Sequence, residues 1–548
     1  MNFRVSLLAL GTLPLALGCS GRGSCKGDYC GTVVFVTANN PKTLLPAVID
    51  NVAARDIDEQ LFLRLADLGM SINTVGDADF VPRLATRWEW DDPKTLVFHL
   101  DPRARWQDGV AVTANDVAFS FDAYRDPTLN AAARNSLTKI ASVTVRDSLT
   151  AVFRFKERYP TAFYDAVYQM WILPQHLLAQ IPRTDWLTTP FGLHPIGDGP
   201  YRFTSAVPGQ TIELTADSTF FQGRPHIRHL IWKMVANLPS AVSNVVTNQA
   251  DAIDFLGSPA SIDEAKKTPG LSVIPYPGSN YIYVELNTRA KGDSSEPHPI
   301  LGDREVRRAL TLALDRQSMV TSIFGPYAKV PPGPIPQLWP IWDSTVRTLG
   351  FDSAGAARIL SAHGWRPGPD GIRVKDSVRL SFEVIFTATS GVRQQYARLM
   401  QAQWKAIGVD LQIQPLDQNL VQDRLTSGKF DAAIQTYSSD PTPASGIAQH
   451  WMRGAPDGFS HWVNDDFDRL VNLATSGTAK AQAQSAWRAA LNVINADAPG
   501  IWLAAPDNVA AINSRITDVK IRPDSYWSLV WTWRIPADKL IDRDRADR

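Results

Sequence analysis

The sequence has little cysteine and no excess of charge of either sign. Only Cys19, Cys25 and Cys30 occur in 548 residues, and all three lie near the start of the chain. The 55 basic side chains balance 55 acidic ones, so the formal net charge is zero. Proteins that bind nucleic acid or an anionic membrane surface typically carry a basic excess. The balance therefore favours neither of these partners.

The sequence also lacks the short motifs that mark common catalytic sites. It contains no GxSxG elbow, HExxH motif or Walker A loop, and Gly197-x-Gly199 lacks the third glycine of a dinucleotide fingerprint. The nine histidines are scattered, and His226 and His229 form the only close pair. We therefore expect no enzyme activity, no metal and no cofactor.

The first 19 residues predict an export signal. Arg4 gives a basic start, and residues 5–17 are apolar but too few to span a bilayer, which needs about 20 residues. The segment ends Leu15-Ala16-Leu17-Gly18-Cys19, which resembles a bacterial lipobox, whose cysteine is acylated. We expect a lipoprotein that begins at Cys19 and is lipid-anchored to a bacterial membrane, facing the periplasm or the cell surface. Simple secretion is the alternative.

Residues 20–30 form a polar tether that contains the other two cysteines. An exported compartment permits a disulfide between Cys25 and Cys30, and two free thiols are the alternative. The stretch has no histidine, and CxxxxC is weak zinc spacing. The tether is therefore not expected to bind metal.

The segment of residues 82–121 predicts a compact α/β unit. Residues 95–100, TLVFHL, alternate as a half-buried strand does. Gln107-Asp108-Gly109 then supplies a tight turn. Thr113 is the expected N-cap of the next helix, with Asp116 in its acidic first turn.

The same segment resembles the family 5 extracytoplasmic solute-binding proteins of ABC importers, the dipeptide, oligopeptide and nickel group. That family's pattern is roughly P-x-L-A-x-x-W, a strand ending in x-F-x-L-R, then F-x-D-G and x-x-A-x-D-V-x-F-S. The matching residues are Pro82, Leu84, Ala85, Trp88, Phe98, Leu100, Asp108, Gly109, Ala114, Asp116, Val117, Phe119 and Ser120. A second match, HPIGDGPYRF at residues 194–203, has Asp198 where the family has threonine. The resemblance covers about residues 31–535.

The resemblance implies an α/β fold of the periplasmic-binding-protein type II kind, with two lobes, three sub-domains and a ligand cleft between the lobes. We place lobe I at residues 31–75, 186–278 and 500–540, an extra sub-domain beside it at residues 76–185, and lobe II at residues 279–499. The length agrees, because 548 residues exceed what one core usually supports. Apolar spacing also predicts one core-facing helix across residues 50–68.

The function implied by the resemblance is capture of a peptide or similar small solute and its delivery to an ABC-type permease. We expect the protein to act as a monomer. Binding of an oligosaccharide or a nickel chelate is an alternative within this class. A periplasmic sensor or chaperone on the same fold is the alternative from another class.

The resemblance also implies candidate ligand-binding residues. Residues 428–445, GKFDAAIQTYSSDPTPAS, are similar to the family's acidic loop, so Asp440 is the candidate partner for a ligand's ammonium group and Tyr437 the aromatic near it. Capping of the loop is the alternative role for Asp440. Arg393, early in a predicted helix, is the candidate for a ligand's carboxylate. Asn40 lies in a loop similar to the family's P-x-x-L-x-P segment and is the fourth candidate.

Two charged residues in a helix predicted over residues 303–315 also invite a ligand-binding role. We favour a structural one, with Arg307 partly buried and paired and Asp315 near the end of the helix.

Overall fold

The computed structural model describes residues 29–49, 51–438, 441–476 and 480–544. The export signal, most of the tether, Cys19, Cys25 and Asp440 therefore lie outside the described residues. Cys30 is described and buried. In the described ranges, no helix combines the length and the apolar character that crossing a membrane requires.

Strands and helices are interspersed along the first half of the chain. The strands are β1 (Thr32–Thr37), β2 (Ala66–Leu68), β3 (Phe80–Pro82), β4 (Ala85–Asp92), β5 (Thr95–Leu100), β6 (Ile140–Asp147), β7 (Thr150–Phe155), β8 (Tyr201–Val207), β9 (Thr211–Ala216), β10 (His229–Met234), β11 (Ala252–Ile253) and β12 (Leu271–Pro277). The helices are α1 (Val52–Leu61), α2 (Ala114–Arg125), α3 (Ala162–Tyr168), α4 (Gln175–Leu178), α5 (Leu238–Val246) and α6 (Pro259–Lys267).

The second half continues in the same way and ends in one long strand. The strands are β13 (Asn280–Leu286), β14 (Arg289–Ala290), β15 (Asp293–Pro297), β16 (Ala328–Lys329), β17 (Arg366–Pro367), β18 (Arg373–Lys375), β19 (Val378–Arg379), β20 (Ser381–Thr387), β21 (Asp410–Leu416), β22 (Ala432–Ser438) and β23 (Gly500–Asn513). The helices are α7 (Arg304–Leu312), α8 (Arg316–Phe324), α9 (Ser353–Ala362), α10 (Gly391–Lys405), α11 (Gln418–Thr426), α12 (Pro443–Trp451), α13 (Asp465–Ser476) and α14 (Lys480–Asp497).

One large sheet runs through both lobes. Its strand order is β21-β20-β22-β13-β23-β11-β1-β10-β9-β8, and β12 and β16 also pair with β23. The start of β23 pairs with β13 in lobe II, whereas its end pairs with β11 and β12 in lobe I. The chain therefore crosses between the lobes along β23 and in the short link from β12 to β13. A separate sheet, ordered β4-β5-β7-β6, lies within residues 85–155.

Each lobe has its own hydrophobic core. In lobe I, Phe35 of β1 stacks on Trp232 of β10 with ring centroids 4.7 Å apart, and Leu338 of lobe II packs into the same core. In lobe II, β13 contributes to two cores, one with Ile282 and the other with Tyr281. Successive side chains of a strand point to opposite faces, so these two cores lie on the two sides of β13.

The predicted α/β unit of residues 82–121 is confirmed. The predicted strand is β5, and its Leu96, Phe98 and Leu100 are buried. The predicted helix start is the start of α2, where Thr113 and Asp116 form a reciprocal capping box. The backbone N–H of Thr113 donates to Oδ2 of Asp116 at 2.8 Å.

The single helix predicted over residues 50–68 is wrong. The helix α1 ends at Leu61, and the chain then runs in extended form into β2, which pairs with β3. The backbone N–H of Leu63 donates to Oδ1 of Asp198 at 2.8 Å, which is a bond that a continuing helix would not make. Tertiary hydrogen bonds have overridden the local helical pattern here.

The helix predicted over residues 303–315 is α7, which ends at Leu312, so Asp315 lies beyond its end. Arg307 of α7 is buried, and its Nη1 and Nη2 donate to the carbonyls of Leu301 and Asp497, both at 2.9 Å. Burial lowers the pKa of Arg307 to about 10. Asp315 is the N-cap of α8 and accepts the backbone N–H of Ser318 at 3.0 Å.

Candidate functional site

A cavity of about 240 Å³ lies where β23 crosses between the lobes. Residues 255–262 of lobe I form one wall, residues of β13, α8 and α10 in lobe II form another, and residues 506–509 of β23 close it. Phe255, Phe324, Tyr327 and Val392 supply apolar surface. Small-molecule sites are typically concave and mostly apolar, with a few placed polar groups. This cavity is therefore the candidate site.

Arg393 is in the cavity wall, in the first turn of α10. Ser390 caps that helix, and its side chain accepts the backbone N–H of Arg393 at 3.4 Å. The half-buried guanidinium donates to the hydroxyl of Thr387 at 2.9 Å. Burial lowers the pKa of Arg393, and Tyr283 partly offsets this effect. The bond to Thr387, at the end of β20, thus holds the side chain, and its remaining donors are available to the cavity.

Asp507 of β23 lines the same cavity. Its Oδ1 accepts from Nε2 of Gln337 at 2.8 Å. Burial raises the pKa of Asp507, against the opposing effects of Lys329 and of the Gln337 hydrogen bond. Asn280 and Asn508 add amide groups. One cation, one acid and uncharged amides suit a ligand that itself carries both charges and amide bonds.

Tyr437 points away from this cavity. It pairs with Tyr281 across β22 and β13, and the two ring centroids are 5.6 Å apart. The ring of His450 lies on the same side, at 5.2 Å. Thr436, which precedes Tyr437 in β22, lines the cavity, and successive side chains of a strand alternate between the faces of the sheet. Tyr437 and Arg393 therefore lie on opposite faces.

Asn40 lies in a different place again. It is exposed, follows β1, and lines a groove of about 310 Å³ on lobe I together with Leu193 and Phe203. That groove shares no lining residue with the cavity between the lobes. The structure thus brings none of the three described candidates, Arg393, Tyr437 and Asn40, together.

The fourth candidate, Asp440, lies outside the described residues. The residues just after it, Thr442 and Pro443, line a narrow gap between the lobes. The opposite wall of this gap includes Thr74 of lobe I. Trp487 lies on the same side as Thr442, in lobe II. Thr442 and Pro443 therefore lie at an edge of the space between the lobes.

Sequence reasoning missed Asp507 and Asn508. Both interrupt the otherwise apolar run AAPDNVAA of β23. A charge and an amide within a buried apolar strand are the signal that would have identified them, because such groups need a partner. Among the residues that the structure describes, no group of three or more His, Cys, Asp or Glu side chains is placed to hold a metal.

Comparison with known proteins gives consistent matches. The family model described as bacterial extracellular solute-binding proteins, family 5 Middle, matches residues 79–459. The oligopeptide-binding protein AppA of Bacillus subtilis is 26% identical over 429 residues, which cover 76% of this chain and 77% of AppA. The residues that the family model matches include most of lobe II and the segment of residues 82–121, whose pattern resembles this family.

Solved structures show the same fold. The structure of Bacillus subtilis AppA in complex with a nonapeptide has a TM-score of 0.71 at 22% identity and covers 92% of this chain and 99% of AppA. NikZ from Campylobacter jejuni in complex with Ni(L-His) has the same TM-score, 0.71, at 22% identity, with coverage of 92% and 99%. These likenesses confirm the predicted fold class.

Proposed function

Because the chain belongs to the family 5 bacterial extracellular solute-binding proteins, which serve ABC importers, we propose that it captures a short peptide and delivers it to an ABC-type permease. The observation that carries the proposal is the cavity between the lobes. It is lined by Arg393, Asp507, Asn280 and Asn508. A peptide presents a carboxylate, an ammonium and amide groups, which these side chains complement.

The chemistry of the wall supports a role for each of its charged groups. The planar guanidinium of Arg393 suits bidentate binding of a carboxylate. The carboxylate of Asp507 suits an ammonium group, which needs a partner once it is buried. Apolar surface from Phe255 and Phe324 is available for a ligand side chain.

The size of the cavity favours a short ligand. Its volume of about 240 Å³ lies below the roughly 300–1,000 Å³ of sites for drug-sized molecules. AppA of Bacillus subtilis was solved with a nonapeptide. We therefore propose a peptide of two or three residues for this protein.

Hinge closure between the lobes completes the proposal. We propose that residues 31–75, 186–278 and 500–540, with the sub-domain of residues 76–185, move against residues 279–499. The two crossings, β23 and the link from β12 to β13, are the places where the backbone would bend. A closed form presents both lobes to the permease as one surface.

We further propose that the protein is exported, acts as a monomer, and is held at the periplasmic or outer face of a membrane by a lipid on Cys19. The support is the lipobox-like ending of residues 15–19. Intact mass of protein extracted from membranes should show a mature chain that starts at Cys19 with added acyl mass. A secreted species without acyl mass would contradict the anchor and leave the peptide proposal untouched.

The proposed ligand is tested first with protein purified from its own host without denaturation. Native mass spectrometry should release a peptide of two or three residues. Calorimetric titration of emptied protein should then show binding of di- and tripeptides in preference to a nonapeptide, an oligosaccharide or nickel–histidine. An empty cavity that also ignores a peptide pool would contradict the proposal.

The role of Arg393 has a matched control. Arg393→Ala should weaken peptide binding at least tenfold, with thermal stability nearly unchanged. Arg358→Ala is the control, because that side chain is 73% exposed, lies on α9 outside the cavity and pairs only loosely with Asp352 at 3.5 Å. Equal affinities of the two variants would remove Arg393 from the site.

A further inference from the structure

Lobe II contains a second cavity that shares no lining residue with the one between the lobes. Its volume is about 490 Å³, and it lies among the β14–β15 hairpin, the end of α12 and residues 454–463. Three basic side chains, Arg289, His450 and His461, line it. None of the described residues in its wall is acidic.

His450 is held by a buried carboxylate behind it. Its Nε2 lies 2.8 Å from the hydroxyl of Tyr283 and 3.5 Å from Oε1 of Glu285. Glu285 is fully buried, and Tyr283 donates to its Oε2 at 3.3 Å. The ring of His450 therefore lies within ion-pair distance of a buried carboxylate. When the hydroxyl of Tyr283 donates to Nε2 instead, the hydrogen of the imidazole ring lies on Nδ1.

The other ring nitrogen of His450 has no partner within the described protein. The side chain is only 3% exposed, and no described atom forms a hydrogen bond with Nδ1. Buried polar groups are almost always hydrogen-bonded. Because His450 lines the cavity, a ligand in the cavity is a candidate partner for Nδ1.

A shared amide places the other two basic residues. Asn287 donates through Nδ2 to the carbonyl of Phe430 at 2.9 Å, which turns its Oδ1 toward the ring of His461 at 3.2 Å and the backbone N–H of Arg289 at 3.0 Å. His461 has a φ of 53°, a region that non-glycine residues rarely occupy. The surrounding bonds thus hold His461 in an unfavourable backbone conformation at the cavity wall.

We propose that this cavity is a second binding site, which takes a small organic anion, either a carboxylate or a phosphate monoester. The guanidinium of Arg289 would bind two of its oxygens, and Nδ1–H of His450 would donate to another. Phe459 and Trp462 in the wall suit an apolar body. The positive charge of Arg289 disfavours a metal cation at the same place.

The second site does not compete with the cavity between the lobes. Glu285 and Tyr283 lie on one face of β13, and Ile282, which lines the cavity between the lobes, lies on the other. The proposal therefore stands independently of the peptide site.

Calorimetry on the mature chain at pH 7 tests the proposal with phenyl phosphate, benzoate, inorganic phosphate and nickel chloride. Phenyl phosphate or benzoate should bind, and Arg289→Gln should weaken that binding at least tenfold. Arg358→Gln, with its 73% exposed side chain, should bind like the wild type. Which of the two organic anions binds more tightly identifies the carboxylate or the phosphate source. Equal binding by both variants, no binding of either anion, or binding of nickel alone would overturn the proposal.

A second measurement reads the wild-type protein directly and uses a variant only to assign the signals. The NMR signals of the His450 ring nitrogens are assigned as those that disappear in His450→Asn. In the wild type, these signals should shift when the organic anion is added. Peptide affinity should stay unchanged in the same sample. An unshifted His450 at saturating anion would overturn the proposal.

Discussion

The imidazole of His298 donates a hydrogen bond to Asp431 inside lobe II, with Nε2 and Oδ1 3.0 Å apart. The direction is fixed because Nδ1 accepts the backbone N–H groups of Ile300 and Leu301, at 3.0 and 2.9 Å. The other carboxylate oxygen accepts the backbone N–H of Glu383 at 2.9 Å. Asp431, just before β22, therefore connects that strand to β20 and to the segment that precedes α7.

The first prediction is that Asp431→Asn removes a pH-dependent part of the stability. Burial raises the pKa of Asp431, but hydrogen bonds from His298, Glu383 and Lys291 outweigh it, and the net pKa is lowered. The carboxylate therefore stabilises the fold above the usual aspartate pKa of about 3.9, and this contribution is lost as pH falls through the lower folded pKa. At pH 7 the variant should be about 3–5 kcal/mol less stable in urea unfolding. A difference that stays constant down to pH 3 would contradict this cause.

The second prediction is that Asp198→Asn stabilises the protein at neutral pH. Asp198 is buried, its Oδ2 has no partner among the described residues, and burial raises its pKa well above the usual range. Between the unfolded pKa of about 3.9 and the folded pKa, the folded state binds more protons, so wild-type stability falls as pH rises. Asparagine keeps an acceptor for the N–H of Leu63 and removes the titration.

The gain at pH 7 should be about 1 kcal/mol, the usual size of one favourable substitution. At pH 4 the two proteins should unfold at nearly the same urea concentration, because the wild-type carboxyl is then protonated in the folded state. A gain that does not grow with pH would point to packing as its cause.

The third prediction concerns two glycines with opposite surroundings. A methyl group on Gly197 would overlap the carbonyl oxygen of Leu61, where α1 ends, whereas a methyl on Gly391, at the start of α10, would meet nothing within 4 Å. Gly197→Ala should lower the free energy of unfolding by about 1–3 kcal/mol, as overpacking does. Gly391→Ala should be neutral or stabilise by up to about 1 kcal/mol. Equal changes in the melting temperatures of the two variants would refute this account.

The parts of the fold that the sequence predicted are those decided by local chemistry. The capping box of Thr113 and Asp116 and the alternation of β5 involve neighbours in the chain, so their outcome depends little on the rest of the molecule. The end of α1 was missed because it depends on Asp198, which is distant in sequence and reaches the N–H of Leu63.

The site was predicted less well for the same physical reason. The resemblance singled out Arg393 as a candidate, and the structure has it in the wall of the cavity between the lobes. It did not separate Tyr437 from that cavity, because the face on which Tyr437 lies depends on the register of β22 with β13. Asp507 enters the cavity only because β23 crosses from one lobe to the other, and no local pattern contains that crossing.

The last prediction rests on the proposed peptide ligand and concerns Asp507. If its carboxylate binds the ammonium of a peptide, Asp507→Asn should weaken binding of a free dipeptide at least tenfold and leave binding of its N-acetylated form unchanged. Burial raises the pKa of Asp507, so its carboxylate becomes protonated at a higher pH than an ordinary aspartate. Wild-type affinity for the free dipeptide should therefore begin to fall at a higher pH than an ordinary aspartate would give, and that of the variant should not fall. Calorimetry over a series of pH values from 7 downward with both peptides measures this, and identical pH profiles for the two proteins would exclude Asp507 as the ammonium partner.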